Sequence, residues 1–217
     1  HKLLSDEIIA SDHGTIVSWK KMTDNTWKTR LGFVNNVEFE LGRIFRHMIN
    51  DGSIRLIIKP VSKIAENRFE FHDEIEIKPN DPLHIMGNNS LKKPWNEENI
   101  FKLVTETPLE FKVEYTTIKN GEEKKISGNI LINFSYCDKR LSGYQGMENF
   151  NYLQQSVRFR NQGISVVREG REIELNRTWL KSTEPRDRWV AGEVKFDSSL
   201  DDFMGIDNQK QACTNFK

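Results

Sequence analysis

Near the end of the chain a lysine stands among carboxamides, in the run Asp207-Asn208-Gln209-Lys210-Gln211. An ammonium is a compact point charge with rotatable donors, and neighbouring carboxamides add further N–H groups. That combination suits the oxygens of a terminal phosphate. The same composition also describes an ordinary polar turn, and polar turns outnumber phosphate sites. On chemistry alone the turn is the better reading of these residues.

Other candidates are weaker. His13, His47, His72 and His84 are scattered along the chain, so each reads as a packed or surface histidine rather than a catalytic base. Asp73-Glu74 and Asp201-Asp202 suggest paired acids, but adjacent strand residues face opposite sides and cannot share a proton. Asp201 and Asp202 instead fit the first turn of a helix, where acids meet free amides and the helix dipole. The sequence holds no P-loop, no GxGxxG, no HExxH, no GxSxG and no calcium-loop pattern. Cys137 and Cys213 have no CxxC spacing and no neighbouring histidine cluster, which argues against a metal site or a disulfide framework.

The elements that must position these residues follow from hydrophobic period and punctuation. Val37, Leu41, Ile44, Phe45, Met48 and Ile49 recur at helical spacing and predict a helix over Asn36–Asn50, N-capped by Asn36 and ended by Gly52. Ile54–Lys59 reads as a strand stopped by Pro60, and Phe69–Ile77 as a second strand ending before Pro79. Phe111–Ile118 and Ile126–Tyr136 predict a hairpin around Asn120-Gly121 with a loop through Lys125. A second hairpin joins Gly163–Arg168 to Arg171–Leu175 through Glu169-Gly170, Val190–Phe196 makes a last strand, and Leu200, Phe203 and Met204 a short helix ended by Gly205. The polar stretches 87–99 and 138–149 read as loops, and 150–159 fits helix or extended chain equally.

Hairpins separated by helices, without regular strand-helix alternation, predict an α+β fold with a mixed sheet and packed helices. Lysine plus arginine equals aspartate plus glutamate at 32 each, so no global field draws the chain to nucleic acid or to an anionic membrane. The start lacks the pattern of a signal peptide and the apolar runs are too short to span a bilayer, which predicts a cytoplasmic protein without a membrane partner.

Three stretches, in order, carry a family resemblance. His13-Gly14-Thr15-Ile16-Val17 resembles the Gly-Thr strand that closes the nucleotide domain of GHKL ATPases. Residues 161–173, Asn-Gln-Gly-Ile-Ser-Val-Val-Arg-Glu-Gly-Arg-Glu-Ile, look like the transducer hairpin of microrchidia-like and MutL-like members. Asn208-Gln209-Lys210-Gln211 is similar to their Asn-Lys-Gln loop, with Gln209 as an extra residue between asparagine and lysine. The resemblance implies a ribosomal-protein-like transducer fold over 31–217, and over 1–30 the tail of a GHKL nucleotide domain or its linking strands. It implies that Lys210 reaches the ATP γ-phosphate, that Gly14 and Thr15 lie near the nucleotide, and that Asn208, Gln209 and Gln211 orient the loop. The helix with a catalytic glutamate and the adenine-binding DxGxG motif of that family do not occur in the chain, so an upstream nucleotide-binding domain is the expected partner. ATP and magnesium then belong to the full-length protein and are not expected to bind this chain tightly or be hydrolysed by it alone. A homodimer and DNA are further partners compatible with the family.

A rival reading is a stand-alone module binding nucleic acid or protein through Arg158, Arg160, Arg168 and Arg171. Its bland counterpart is a solvated face on which Glu169, Glu172 and Glu174 balance these arginines.

Overall fold

The computed structural model describes residues 29–66, 68–86, 101–119, 121–137, 158–180, 189–206 and 213–215. Helix α1 spans Arg30–Ile44 and α2 spans Arg46–Asn50, separated by one non-helical residue, Phe45. The helix therefore starts earlier than the period from Val37 predicts. Thr29 takes the N-cap, its Oγ1 accepting from Gly32 N at 3.1 Å, while Asn36 lies inside α1 and donates to Gly32 O at 2.7 Å. Asp51 caps α2, and Gly52 follows with φ 78°.

An antiparallel ribbon comes next. Strand β1 (Ile57–Ile58) pairs with β4 (Ile75–Glu76), and β2 (Val61–Ala65) pairs with β3 (Arg68–Phe71). Pro60 stops the first strand as the sequence predicts: β1 ends at Ile58 and β2 begins at Val61 in a separate ladder, since proline has no N–H to give. Across the gap His72 N donates to Pro60 O at 3.0 Å.

The main sheet has six strands: β5 (Phe101–Leu103), β6 (Leu109–Lys119), β7 (Glu122–Cys137), β8 (Ile164–Arg168), β9 (Arg171–Asn176) and β10 (Val190–Phe196). Its order is β5-β7-β10-β8-β9, with β6 also paired to β7. The pair β10–β8 is parallel and the others are antiparallel, so the sheet is mixed and the α+β expectation holds. The β6–β7 ladder runs to Lys119↔Glu122 past Gly121 at φ 84°, so Glu122–Lys125 is strand rather than the expected loop. The β8–β9 turn has positive φ at both Glu169 (48°) and Gly170 (77°), the geometry whose twist suits a tight hairpin.

Alternation along the strands divides the sheet into two faces. Val166 and Phe196 point to one face, where they bury against Leu200, Met204 and Cys213, with Val113, Tyr115, Ile130, Ile173 and Ile206 packed around them. Ser165 and Glu193 point to the other, toward α1 and α2. The short helix α3 (Arg158–Asn161) leads into β8, and a 3₁₀ turn (Ser198–Leu200) leads into α4 (Asp201–Met204).

Candidate functional site

The sequence-derived site residues Gly14, Thr15, Asn208, Gln209, Lys210 and Gln211 lie outside the described residues, as do His13 and most of the segment 1–30. What the structure describes is the two ends from which residues 207–212 depart and to which they return. Helix α4 ends at Gly205, in the left-handed conformation at φ 68°, and the chain turns into Ile206. Ile206 and Cys213 then form an antiparallel bridge.

That return is bound to the end of α4. Thr214 N and Oγ1 donate to Gly205 O at 3.2 and 2.8 Å, Asn215 N donates to Met204 O at 3.2 Å, and Asn215 Nδ2 donates to Phe203 O at 2.9 Å. The last carbonyls of a helix have no partner within it, and here residues from beyond the loop supply the donors. Cys213 is buried, and its backbone N–H donates to Glu174 Oε2 on β9 at 3.0 Å. Asn176 Nδ2 holds the other oxygen, Oε1, at 3.1 Å.

The opposite face of the sheet carries a buried ionic cluster that sequence reasoning did not identify. Arg46 is fully buried; its Nη2 donates to Glu193 Oε2 and to Ser165 Oγ, both at 2.6 Å, and its Nη1 to Glu172 Oε2 at 2.9 Å. Its Nε stands 3.9 Å from Asp81 Oδ1. Arg43 Nε donates to Glu172 Oε1 at 2.7 Å, and His47 Nε2 meets Glu193 Oε2 at 2.8 Å. Desolvation opposes each charge, yet at Glu193 the His47 hydrogen bond and the Arg46 charge outweigh it and hold the pKa at about 2. For Asp81 burial wins and its pKa is raised, helped by Glu193 and opposed by Arg46 and by the amides of Ile85 and Met86. With its charges paired to one another, the cluster fastens helix to sheet; nothing in it marks a reacting centre.

Of the arginines of the rival reading, Arg168 and Arg160 pair with carboxylates of the fold, while Arg171 is exposed. Arg168 makes a bidentate pair with Asp201, at 2.6 and 2.8 Å. Arg160 donates to Glu40 at 3.0 Å and lies 3.6 Å over the Phe39 ring, and Arg171 lies 5.7 Å over that of Phe45. The side chain of Arg158 lies outside the described set. Of the glutamates expected to balance them on a solvated face, Glu169 is exposed beside Arg168, its Oε1 accepting from Ser198 N at 2.8 Å, whereas Glu172 is buried with Arg46 and Glu174 holds Cys213.

Of the remaining candidates, Asp201 and Asp202 occupy the first turn of α4 as expected. Asp73 and Glu74 are exposed, with Glu74 3.3 Å from Lys59. His72 hydrogen-bonds Ser62 at 2.8 Å, and His84 is buried with its ring 4.7 Å from that of Phe101. Among the described residues no helix is long and apolar enough to cross a membrane. Comparison with family models, curated proteins and solved structures finds no match to this chain.

Proposed function

We propose that the chain is the transducer module of a GHKL-type ATPase, with a ribosomal-protein-like fold, and that Lys210 supplies positive charge to the ATP γ-phosphate. The observation that supports it is the tethering of the segment carrying Lys210. Its flanks Ile206 and Cys213 are bridged, and they pack on the sheet's apolar core with Met204 and Leu200. A charge stabilises phosphoryl transfer only if it is held where negative charge develops, so a lysine in this role needs a segment anchored at both ends. The donor set also fits a phosphate: one ammonium among the carboxamides of Asn208, Gln209 and Gln211.

In this reading a GHKL nucleotide-binding domain holds ATP and magnesium, with Gly14 and Thr15 close to the nucleotide. The module adds Lys210 across from the terminal phosphate. Loss of the γ-phosphate removes the interaction that distinguishes the closed arrangement from the open one, so hydrolysis releases the module from the nucleotide domain. Coupled to a homodimer, that release opens and closes a clamp, with DNA as the client the reading favours.

The test is ATP turnover by the polypeptide that carries this chain together with its nucleotide-binding domain. Lys210→Ala is expected to lower turnover on the order of a hundredfold or more while ADP affinity stays at the wild-type level. Turnover equal to wild type would remove Lys210 from the phosphate site and reduce 207–211 to a polar surface turn.

A further inference from the structure

Strand β6 is an outer strand of the main sheet, and among the described residues only β7 pairs with it. The direction of its remaining backbone groups follows from β7. Asn129 N donates to Asp197 Oδ2 at 3.3 Å and Ser127 O accepts from Ser199 Oγ at 3.2 Å, so both residues turn peptide groups away from β6. In an antiparallel pair, residues directly opposite either exchange both hydrogen bonds or both turn away. The register partners of Asn129 and Ser127, which are Lys112 and Glu114, therefore present N–H and C=O at the outer edge. By the two-residue period so do Glu110 and Thr116, and all four residues are exposed. A long exposed edge of this kind is a template for another strand.

We propose that the strand it takes is β6 of a second copy of this chain, run antiparallel about a two-fold axis at Val113. The proposal does not depend on the role given above to Lys210. Charge along the edge selects this occupant and this register. With the axis at Val113, Lys112 of each copy stands opposite Glu114 of the other, on the face where the two already lie 2.7 Å apart within one chain. On the other face Phe111 meets Tyr115 and Val113 meets its own copy. Phe111 and Leu109, 52% and 43% exposed in the single chain, gain apolar cover there. Neighbouring registers are worse. An axis at Lys112 sets lysine against lysine and Glu110 against Glu114, and an axis at Glu114 sets that carboxylate against itself. An axis at Phe111 pairs Glu110 with Lys112 but joins only residues 109–113 of each strand. An axis between two residues would oppose outward-facing backbone groups to inward-facing ones. The contact is isologous, so it closes at two copies.

The experiment is analytical ultracentrifugation of the 217-residue chain over a range of concentrations, with wild type beside Lys112→Glu, Glu114→Lys and the double variant. The two side chains are 69% and 65% exposed, so these changes leave the core untouched. Wild type is expected to dimerise reversibly. Each single change sets like charges opposite one another at both symmetry-related pairs and should weaken the dimer by about tenfold or more. An equimolar mixture of the two single variants puts a carboxylate opposite an ammonium at both pairs and should associate as wild type does. The double variant exchanges the two charges and should do the same. A chain that is monomeric at every concentration would overturn the proposal and leave the edge to an extended segment of a different protein. A dimer whose affinity neither single variant changes uses another surface, which overturns it too. Single variants that weaken the dimer without recovery on mixing would show that Lys112 and Glu114 do not meet across the axis, and would also overturn it.

Discussion

Glu172 and Glu174 sit on the same short strand and serve opposite faces of the sheet, Glu172 bonded to Arg46 at 2.9 Å and Glu174 to the Cys213 amide at 3.0 Å. One bulge between them separates the chain's buried ionic cluster from the anchored terminal segment. The strand that fastens the helices is therefore also the one that holds the return from residue 212. A shift of β9 relative to β8 would be felt on both sides, which makes the strand a mechanical link between the helical layer and the terminal segment.

Arg46 is the hub of the ionic side. Arg46→Met is expected to destabilise the fold by about 3–5 kcal/mol, because Glu172, Glu193 and Asp81 would remain buried without its charge. Urea unfolding measures this directly. Adding Glu172→Gln and Glu193→Gln to Arg46→Met should recover part of the loss, since the carboxylates left behind cause most of it. A triple variant no more stable than the single one would show that packing, and not stranded charge, sets the cost.

Glu193 gives the cluster a pH signature. Its folded pKa is about 2 against an ordinary 4.5, so the unfolded chain takes up the proton first as pH falls. Its contribution is full above about pH 4.5 and is lost between there and pH 2. Glu193→Gln should therefore cost roughly 3 kcal/mol near neutral pH. The gap between wild type and variant should narrow steadily as pH drops through that window. Chemical unfolding at several pH values tests it; a gap independent of pH would mean that Glu193 is not held ionised by Arg46 and His47.

The hairpins were legible because they depend on local signals. Ile164–Arg168 and Arg171–Asn176 flank a Glu-Gly turn whose geometry only a few residue types favour, and Val190, Val194 and Phe196 recur on one side of the last strand. The helix start was missed because the amphipathic period from Val37 drew the boundary to Asn36, while Thr29 with Leu31 and Val34 already supplied a cap and the first apolar turn. The ionic cluster had two visible traces. Glu193 stands between Gly192 and Val194 in the last strand, and Arg46 falls among Ile44, Phe45, Met48 and Ile49. Each reads alone as a polar intrusion. What joins them is tertiary, across a sequence separation of 147, and a single chain's local pattern carries no information on that pairing. The bulge at Ile173 is hidden for a similar reason: Arg-Glu-Ile-Glu-Leu alternates cleanly and gives no sign that one residue is extra.

Arg168 and Asp201 join the β8–β9 turn to α4 and are partly exposed, at 16% and 26%. A bidentate, half-sheltered pair of this kind should couple by about 1 kcal/mol in a double-mutant cycle of Arg168→Ala and Asp201→Ala. The coupling should fall only modestly when salt is raised, since the pair is partly shielded from solvent ions. Zero coupling would show that the ion pair does not help hold α4 to the β8–β9 turn.

Gly42 offers a test in which two ordinary effects oppose each other. It lies inside α1, where replacing glycine with alanine usually gains about 1 kcal/mol through helix propensity. Here a Cβ would stand 2.5 Å from the backbone oxygen of Lys78 and 3.4 Å from Asn80 Cβ. A backbone carbonyl cannot swing aside as a long side chain can. Asn80 is also tied down, with its N–H donating to Gly42 O at 3.0 Å and its Nδ2 to Phe39 O at 3.1 Å. Relief would have to come from moving the whole 78–81 segment off the helix, which pulls Asp81 away from Arg46. Overpacking of this kind costs about 1–3 kcal/mol and should outweigh the propensity gain. Gly42→Ala is thus expected to lower stability in urea unfolding, and a variant more stable than wild type would mean that the 78–81 segment is not fixed against α1.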